Sequence, residues 1–269
     1  MQSRPRRRGP IARSLALLSL AAAACTASPV DWTPPRSVAR PTGPYAALGA
    51  DGALRSDTLV ALAAALTPPA PACAGSLRVA PARGSLVGVW WAPRPDSGVR
   101  LLFARSADGG RSWSAPAAVD TTDAGVGGCR RWPAALAADP VSGYVHVTYA
   151  LQAAEGPGLF FSHSMDGGVT FHAPVPILYG ERLGRTSVAA DGDLVVVVFE
   201  DPNSNTPRIG LALSRTMGHI FEHRILPVSD DNGIASHPLV AAHGQRIAVA
   251  WEPDTAASAT LVVRAGTVR

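Results

Sequence analysis

Lysine is absent from the 269-residue sequence, and all 24 basic residues are arginine. Charged residues make up only 16% of the chain. Five arginines fall within the first 24 residues, and without them 19 basic residues stand against 20 acidic ones, a balance of about −1. Binding to a phosphate backbone needs a basic face or stripe. The composition therefore predicts no nucleic-acid partner, and the lack of lysine indicates a GC-rich genome rather than a function.

The N-terminal apolar run, at residues 15–24, is too short to cross a bilayer and follows an arginine-rich segment. This is the pattern of an export signal, and we predict a signal peptide over residues 1–24. Residues 20–25 read LAAAAC, which resembles the lipobox of bacterial lipoproteins. The resemblance implies that Cys25 is lipidated and anchors the protein to a membrane of the cell envelope. Ordinary cleavage after Ala24 is the alternative, and it would make the protein periplasmic or secreted.

Cysteine is scarce, with three residues in the whole sequence. If Cys25 carries a lipid, Cys73 and Cys129 remain as one pair in an oxidising compartment. Both precede comparable strand starts in successive repeats. We therefore predict a disulfide between Cys73 and Cys129 that joins neighbouring repeats.

Residues 25–75 are rich in proline and alanine, a composition that predicts a linker between the membrane and a folded domain. Within it, residues 58–66 are apolar and fit either a short helix or a strand. From residue 76 onward, short β-rich runs alternate with glycine, aspartate and proline, as in an all-β repeat fold. The runs that begin at Leu136, Val188 and Val240 lie 52 residues apart.

A period of about 40 to 50 residues with about four strands per unit is typical of propeller blades. We predict an all-β fold, a β-propeller of about four recognisable four-stranded blades over residues 76–269. The fourth unit stops after about three strands. Either residues 45–66 supply a closing strand, or the chain is a shortened one.

Two segments match the pattern S-x-D-x-G-x-T-W at a third-to-fourth strand turn. The residues that carry the match are Ser106, Asp108, Gly110 and Trp113 in the first copy, and Ser164, Asp166, Gly168 and Phe171 in the second. Residues 214–221 form a decayed third copy that has lost the aspartate. Serine and aspartate bond nearby backbone groups, glycine supplies a positive φ, and the aromatic residue packs into the blade.

This motif is the Asp box, and the chain resembles the Asp-box (BNR-repeat) sialidase-like β-propeller superfamily. The resemblance covers about residues 76–269. It implies that the boxes lie away from the ligand face, so Asp108 and Asp166 are structural. It supports the fold more strongly than any activity.

In a propeller, the loops that lead into the innermost strands share one face with the loops that join the second and third strands. We predict ligand-binding residues on this face at Arg131, Arg185, His237 and Glu252. Guanidinium groups can bind a sugar carboxylate at two points. Glu200 and Asp201 are the candidates for acid–base catalysis. The alternative is that these charges are solvated loop residues with no shared task.

Three functions remain open at this stage. The first is an exported, lipid-anchored propeller that binds glycans or another extracellular ligand. The second is an exo-sialidase-like glycoside hydrolase, for which the resemblance implies an arginine triad, a tyrosine nucleophile assisted by a glutamate, and an aspartate as general acid. The candidate tyrosines have no clear partner glutamate: Tyr45, Tyr144, Tyr149 and Tyr179. The third is a non-catalytic module that binds an envelope protein.

No cofactor and no metal are predicted. His219 and His223 have the spacing of metal ligands on a helix, but they flank a predicted turn and strand. Trp90, Trp91, Trp132 and Trp251 are expected in the core rather than against a sugar.

Overall fold

The computed structural model describes residues 28–42, 46–125, 127–139, 141–153, 155–229, 233–253 and 259–269. The predicted signal peptide, Cys25 and Tyr45 lie outside these residues. No helix in the described part of the chain is long and apolar enough to span a membrane. The described elements are nineteen strands, one α-helix and one 3₁₀ turn, which confirms the all-β class.

The N-terminal part contains four short strands and a helix. These are β1 (Val30–Trp32), β2 (Arg36–Ala39), β3 (Ala46–Leu48), β4 (Leu54–Ser56) and α1 (Thr58–Ala65). Asp57 caps the helix, because its Oδ1 accepts hydrogen bonds from the backbone N–H groups of Leu59 at 2.8 Å and Val60 at 3.2 Å. The ambiguous segment at residues 58–66 is thus mainly a helix.

Four antiparallel sheets follow in chain order. Sheet 1 contains β5 (Arg78–Ala82), β6 (Ser85–Pro93), β7 (Val99–Ser106) and β8 (Ala117–Ala118). Sheet 2 contains β9 (Ala135–Ala138), β10 (Val145–Ala153), β11 (Gly156–Ser164) and β12 (Val175–Tyr179). Sheet 3 contains β13 (Thr186–Asp191), β14 (Leu194–Glu200), β15 (Ile209–Ser214) and β16 (His223–Pro227). Sheet 4 contains β17 (Ala235–His243), β18 (Arg246–Pro253) and β19 (Thr260–Val268).

Sheet 4 is completed by the N-terminal strands. Strand β1 pairs with the end of β19, where Val30 lies opposite Val268, and β2 pairs with its start, where Ala39 lies opposite Thr260. Val30 is buried in the core, and Pro34 and Pro35 lie between the two strands, where no ladder hydrogen bond is required. The described part of residues 25–75 is therefore not a plain linker. The added strands come from residues 30–39 and, in the described part of the predicted closing segment, not from residues 46–66.

The sheets pack face to face, because alternate side chains of a strand point to opposite sides. One buried cluster joins sheets 1 and 2, a second joins sheets 2 and 3, and a third joins sheets 3 and 4. The inner strands β5, β9, β13 and β17 lie side by side in this order. This arrangement of four-stranded antiparallel sheets is consistent with a propeller.

The segment between β2 and sheet 1 contacts both the first and the last sheet. Ala63 and Leu66 pack with Leu77 and Val79 on the free face of sheet 1. Strand β3 lies against β17 and β18 of sheet 4. Residues 46–66 thus cover apolar faces that a neighbouring sheet covers elsewhere in the fold.

Both Asp boxes form the turns that the sequence predicts. In the first, Ser106 Oγ accepts from the N–H of Gly110 at 2.6 Å and donates to Asp108 Oδ1 at 2.8 Å. In the second, Ser164 Oγ accepts from the N–H of Gly168 at 2.7 Å and donates to Asp166 Oδ1 at 2.7 Å. Trp113 packs in the core of sheet 1, and Phe171 packs edge-to-face on Phe103 at 5.2 Å.

The third copy keeps the turn without its aspartate. Ser214 Oγ accepts from the N–H of Gly218 at 3.1 Å, as in the intact boxes. Thr216 stands in the aspartate position, and its Oγ1 accepts from the N–H of Ile220 at 2.9 Å. A hydroxyl can therefore replace the carboxylate as the acceptor of this turn.

The Asp166 carboxylate is expected to stabilise the fold at neutral pH. Partial burial raises its pKa, but hydrogen bonds from Thr170, Ser164 and Val169 outweigh this effect and lower the pKa below its usual range. A lowered folded-state pKa adds stability above the unfolded-state pKa of 3.8, and the stability is lost as the pH falls through the folded value. Asp166→Asn should cost about 1 kcal/mol at pH 7 and less at pH 3.

Urea unfolding of the wild type and of Asp166→Asn at both pH values would measure this difference. Asp193→Asn is the control, because Asp193 is an exposed aspartate in the turn between β13 and β14. An equal loss in Asp193→Asn, or a loss that does not shrink at pH 3, would contradict the prediction.

Candidate functional site

The predicted ligand face lies at the edge of the sheets opposite the Asp boxes, since the second-to-third strand turns and the third-to-fourth strand turns fall at opposite ends of antiparallel strands. We call this edge the rim. We call the loops that precede β5, β9, β13 and β17 the lead-in loops of sheets 1 to 4. Each lead-in loop brings the chain to the rim end of an inner strand.

The lead-in loop of sheet 2 is held by a disulfide, an ion pair and a hydrogen bond. Cys129 is joined to Cys73, with 5.3 Å between their Cα atoms. The Arg131 guanidinium forms a salt bridge with Asp123, and the two side chains are only 8% and 4% exposed. Trp91 Nε1 donates to the carbonyl oxygen of Trp132 at 3.0 Å.

Arg131 therefore has a structural partner. Besides its bond to Asp123 Oδ1 at 2.9 Å, its guanidinium lies over the Trp91 ring at 4.9 Å. The sequence analysis predicts that Arg131 binds a ligand. The structure instead places its guanidinium in the interior, where Asp123 pairs with its charge. No motif or spacing in the sequence identifies Asp123 as the partner of Arg131.

Trp132 is presented at the rim by this loop. Trp132 is 41% exposed, so the expectation that it lies in the core is wrong, whereas Trp90, Trp91 and Trp251 are buried as expected. The Arg185 guanidinium lies 4.4 Å above the Trp132 ring, a cation–π contact. The indole Nε1 donates to the Leu183 carbonyl at 3.2 Å. The exposed indole thus joins the lead-in loops of sheets 2 and 3.

The Glu200 carboxylate joins the lead-in loop of sheet 3 to the start of β17. Its Oε2 accepts from the backbone N–H of Arg185 at 3.0 Å, and its Oε1 accepts from the backbone N–H of His237 at 2.8 Å. His237 has a φ of 53°, in the left-handed region. Asp201 accepts from the N–H of Asn203 at 2.9 Å within its own loop. The two predicted catalytic carboxylates therefore both bind main-chain donors.

His237 and Glu252 are brought together, as the sequence analysis places them on one face. Glu252 Oε2 lies 3.3 Å from His237 Nδ1, and Glu252 Oε1 accepts from Arg40 at 2.7 Å. The three side chains are 29–41% exposed. Arg40 was missed because it lies in the segment predicted to be a linker, and only the pairing of β2 with β19 brings it to the rim.

Tyr149 is removed from the rim surface. It is 1% exposed, and its hydroxyl donates to Asp120 Oδ2 at 3.0 Å. Burial raises the pKa of Tyr149, and the negative charge of Asp120 raises it further. The phenol therefore stays protonated, which disfavours a role as a nucleophile.

A second cluster lies at the opposite edge, between sheets 2 and 3. It contains His163 at the end of β11, His172 after the second Asp box, and His219 in the third copy. One ring nitrogen from each lies within 4.8 Å of the others. Burial lowers the pKa of His163 to about 4. The sequence analysis weighed His219 only with His223, since the other two histidines meet it through sheet packing alone.

No family model matches this sequence. No curated protein matches it either. The structural neighbours include sialidases and other glycoside hydrolases. A Hadza microbial sialidase, Hz136, is 16% identical with a TM-score of 0.49, over 66% of this chain and 42% of that one. The Trypanosoma rangeli sialidase is 11% identical with a TM-score of 0.46, over 84% of this chain and 40% of that one.

The K499G mutant of NanB sialidase from Streptococcus pneumoniae is 12% identical with a TM-score of 0.45, over 71% of this chain and 30% of that one. The present chain thus spans less than half the length of each of these three sialidases.

Proposed function

We propose that the protein binds acidic glycans at the rim, as a sialidase-like propeller exported to the cell envelope. The observation that carries the proposal is the pair of Trp132 and Arg185. Trp132 is 41% exposed, and the Arg185 guanidinium lies 4.4 Å above its ring. An exposed aromatic ring offers an apolar surface to a sugar, and the guanidinium fork offers two donors to a sugar carboxylate.

The loops that carry this pair are held by a disulfide, an ion pair and a hydrogen bond, which supports binding. The disulfide and the Arg131–Asp123 ion pair hold the loop of Trp132. Glu200 holds the main chain of Arg185. A ligand that meets a preorganised surface does not lose affinity to the ordering of loops.

Hydrogen bonding at the rim favours binding over hydrolysis. Both oxygens of Glu200 accept main-chain hydrogen bonds, so this side chain holds the loop before β13 against the start of β17. Tyr149 is buried and bonded to Asp120 instead of a glutamate. Exo-sialidase-like hydrolysis and docking of an envelope protein are therefore the alternatives that the experiment below has to separate from glycan binding.

Location in the cell envelope is part of the proposal. The N-terminal sequence supports export, and residues 20–25 support lipid attachment at Cys25. A disulfide between Cys73 and Cys129 is typical of proteins in an oxidising compartment. The four sheets, with sheet 4 completed by β1 and β2, support a propeller-like arrangement.

The experiment is a titration of the full chain with sialylated glycans and with the same glycans after desialylation. We expect binding that depends on the sialic acid. Arg185→Ala and Trp132→Ala should each weaken it by about 10- to 100-fold, the loss expected for one charge-assisted contact or one stacking surface. Arg111→Ala is the control, because Arg111 is an exposed arginine of the first Asp box at the opposite edge.

The outcomes distinguish the functions. Binding that is unchanged in Arg185→Ala but lost in Arg111→Ala would overturn the assignment of the rim. Turnover of a fluorogenic sialoside that disappears in Arg185→Ala would replace binding by hydrolysis. A wild-type protein that binds no glycan, but whose pull-down of an envelope protein needs Arg185, would replace the glycan by a protein partner.

A further inference from the structure

We infer that His163, His172 and His219 form a binding site for a divalent transition-metal ion of the Zn²⁺ class. The three residues come from three separate segments, and one ring nitrogen from each lies within 4.8 Å of the others. Imidazole nitrogen is a preferred ligand of Zn²⁺, Cu²⁺ and Ni²⁺. The site lies at the Asp-box edge and is separate from the rim.

The spacing needs only a small adjustment to hold a metal. Zinc–nitrogen bonds of about 2.0–2.1 Å place two ligands of a tetrahedral site about 3.4 Å apart. Nitrogens that now lie up to 4.8 Å apart have to approach by somewhat more than an ångström. His172 and His219 are exposed and can rotate toward His163, which is held within a strand. Three histidines leave the fourth position to water or to an incoming ligand.

His163 provides a second, independent observation. This residue is 3% exposed, and its Nε2 is buried without a hydrogen-bond partner among the described residues. Buried polar atoms are nearly always satisfied, and one that is not calls for an explanation such as a missing ion. Coordination through Nε2 would satisfy this atom.

Comparison between the repeats shows that the Asp box does not require these histidines. The backbone N–H of His172 donates to the backbone carbonyl of His163 at 2.9 Å. The equivalent backbone bond in sheet 1 runs from Ser114 to Arg105 at 2.8 Å. The residue equivalent to His219 in the second box is Val169. The same backbone frame thus carries Arg105, Ser114 and Val169 between sheets 1 and 2, where no set of imidazoles forms. The histidines are specific to the junction of sheets 2 and 3.

The experiment is a calorimetric titration with ZnCl₂ of the full chain, purified without a polyhistidine tag and treated with a chelator. We expect one equivalent of zinc to bind. His172→Ser and His219→Val introduce the residues of the equivalent positions, so the turn keeps its own chemistry. Each should weaken zinc binding by at least about 10-fold, and the double variant should lose it.

His243→Ala is the matched control, since this histidine is 84% exposed, pairs with Asp191 and does not belong to the cluster of three. It should bind zinc like the wild type. The melting temperature gives a second readout: zinc should raise it in the wild type and not in the double variant, because only a native-state site adds stability.

Two results would overturn the inference: a wild type that binds no stoichiometric zinc, or single variants that keep the wild-type affinity. A loss of affinity in His243→Ala equal to that in His172→Ser would do the same, since it would indicate non-specific imidazole binding. The histidines lie at the edge opposite the rim, so none of these outcomes bears on glycan binding.

Discussion

Gly168→Ala is expected to lower the free energy of unfolding by about 3–5 kcal/mol, through overpacking and backbone strain together. A Cβ at position 168 would lie 2.7 Å from Cδ1 of Phe103 and would overlap Cε1 and Cζ of the same ring. Phe103 is 1% exposed and packs on Phe171, so its ring has no room to move. The φ of Gly168 is 93°, which an alanine rarely adopts.

Gly109→Ala is the matched control for this prediction. Gly109 also has a positive φ, of 74°, but a Cβ there would meet no atom within 4 Å. Met217 occupies the equivalent position of the third copy with a φ of 55°. We expect a loss of about 1 kcal/mol, from the backbone alone. Urea denaturation of both variants measures the difference in the free energy of unfolding. Equal losses in the two variants would contradict the prediction, because they would show that the close packing of Gly168 on Phe103 adds no cost to the alanine substitution.

Replacement of Cys73 and Cys129 by alanine is expected to lower the free energy of unfolding by about 4 kcal/mol. The two residues are 56 positions apart, and the entropy of closing a loop of that length in the unfolded chain corresponds to about this value. Reduction of the wild type should have the same effect. Guanidinium unfolding with and without a reductant measures it.

The control for the disulfide is Cys25→Ala, which leaves the pair intact and should unfold like the wild type. The protein with alanine at both Cys73 and Cys129 should also bind sialylated glycans more weakly, because the loop of Trp132 loses one of its restraints. An unfolding midpoint that is unchanged by reduction would contradict the predicted stabilisation.

The parts of the fold that the sequence predicted well depend on residues close together in the chain. The Asp boxes are eight-residue turns whose hydrogen bonds run from Ser106 and Ser164 to groups at most a few positions away. The 52-residue spacing is likewise a local signal, because each sheet is built mainly from strands that follow one another in the chain. Local turn chemistry and strand alternation are both legible in a sequence.

The linker shows where this approach fails. Proline and alanine content predicted a tether over residues 25–75, yet β1 and β2 pair with β19. Val30 and Val268 are partners across more than two hundred residues. Composition describes a segment by itself. Whether that segment becomes an edge strand depends on the unpaired N–H and C=O groups of a strand elsewhere in the chain, here β19.

The candidate site divides in the same way. The sequence by itself determined the all-β class, the repeats, the turn chemistry and the edge at which Arg185, Glu200, His237 and Glu252 lie. Only the tertiary structure decided which partner each charge has. Asp123 neutralises Arg131 in the interior, the exposed Trp132 lies under Arg185, and three histidines from separate segments meet between sheets 2 and 3. These partners are distant in sequence, and the packing of one sheet on the next sets their distances.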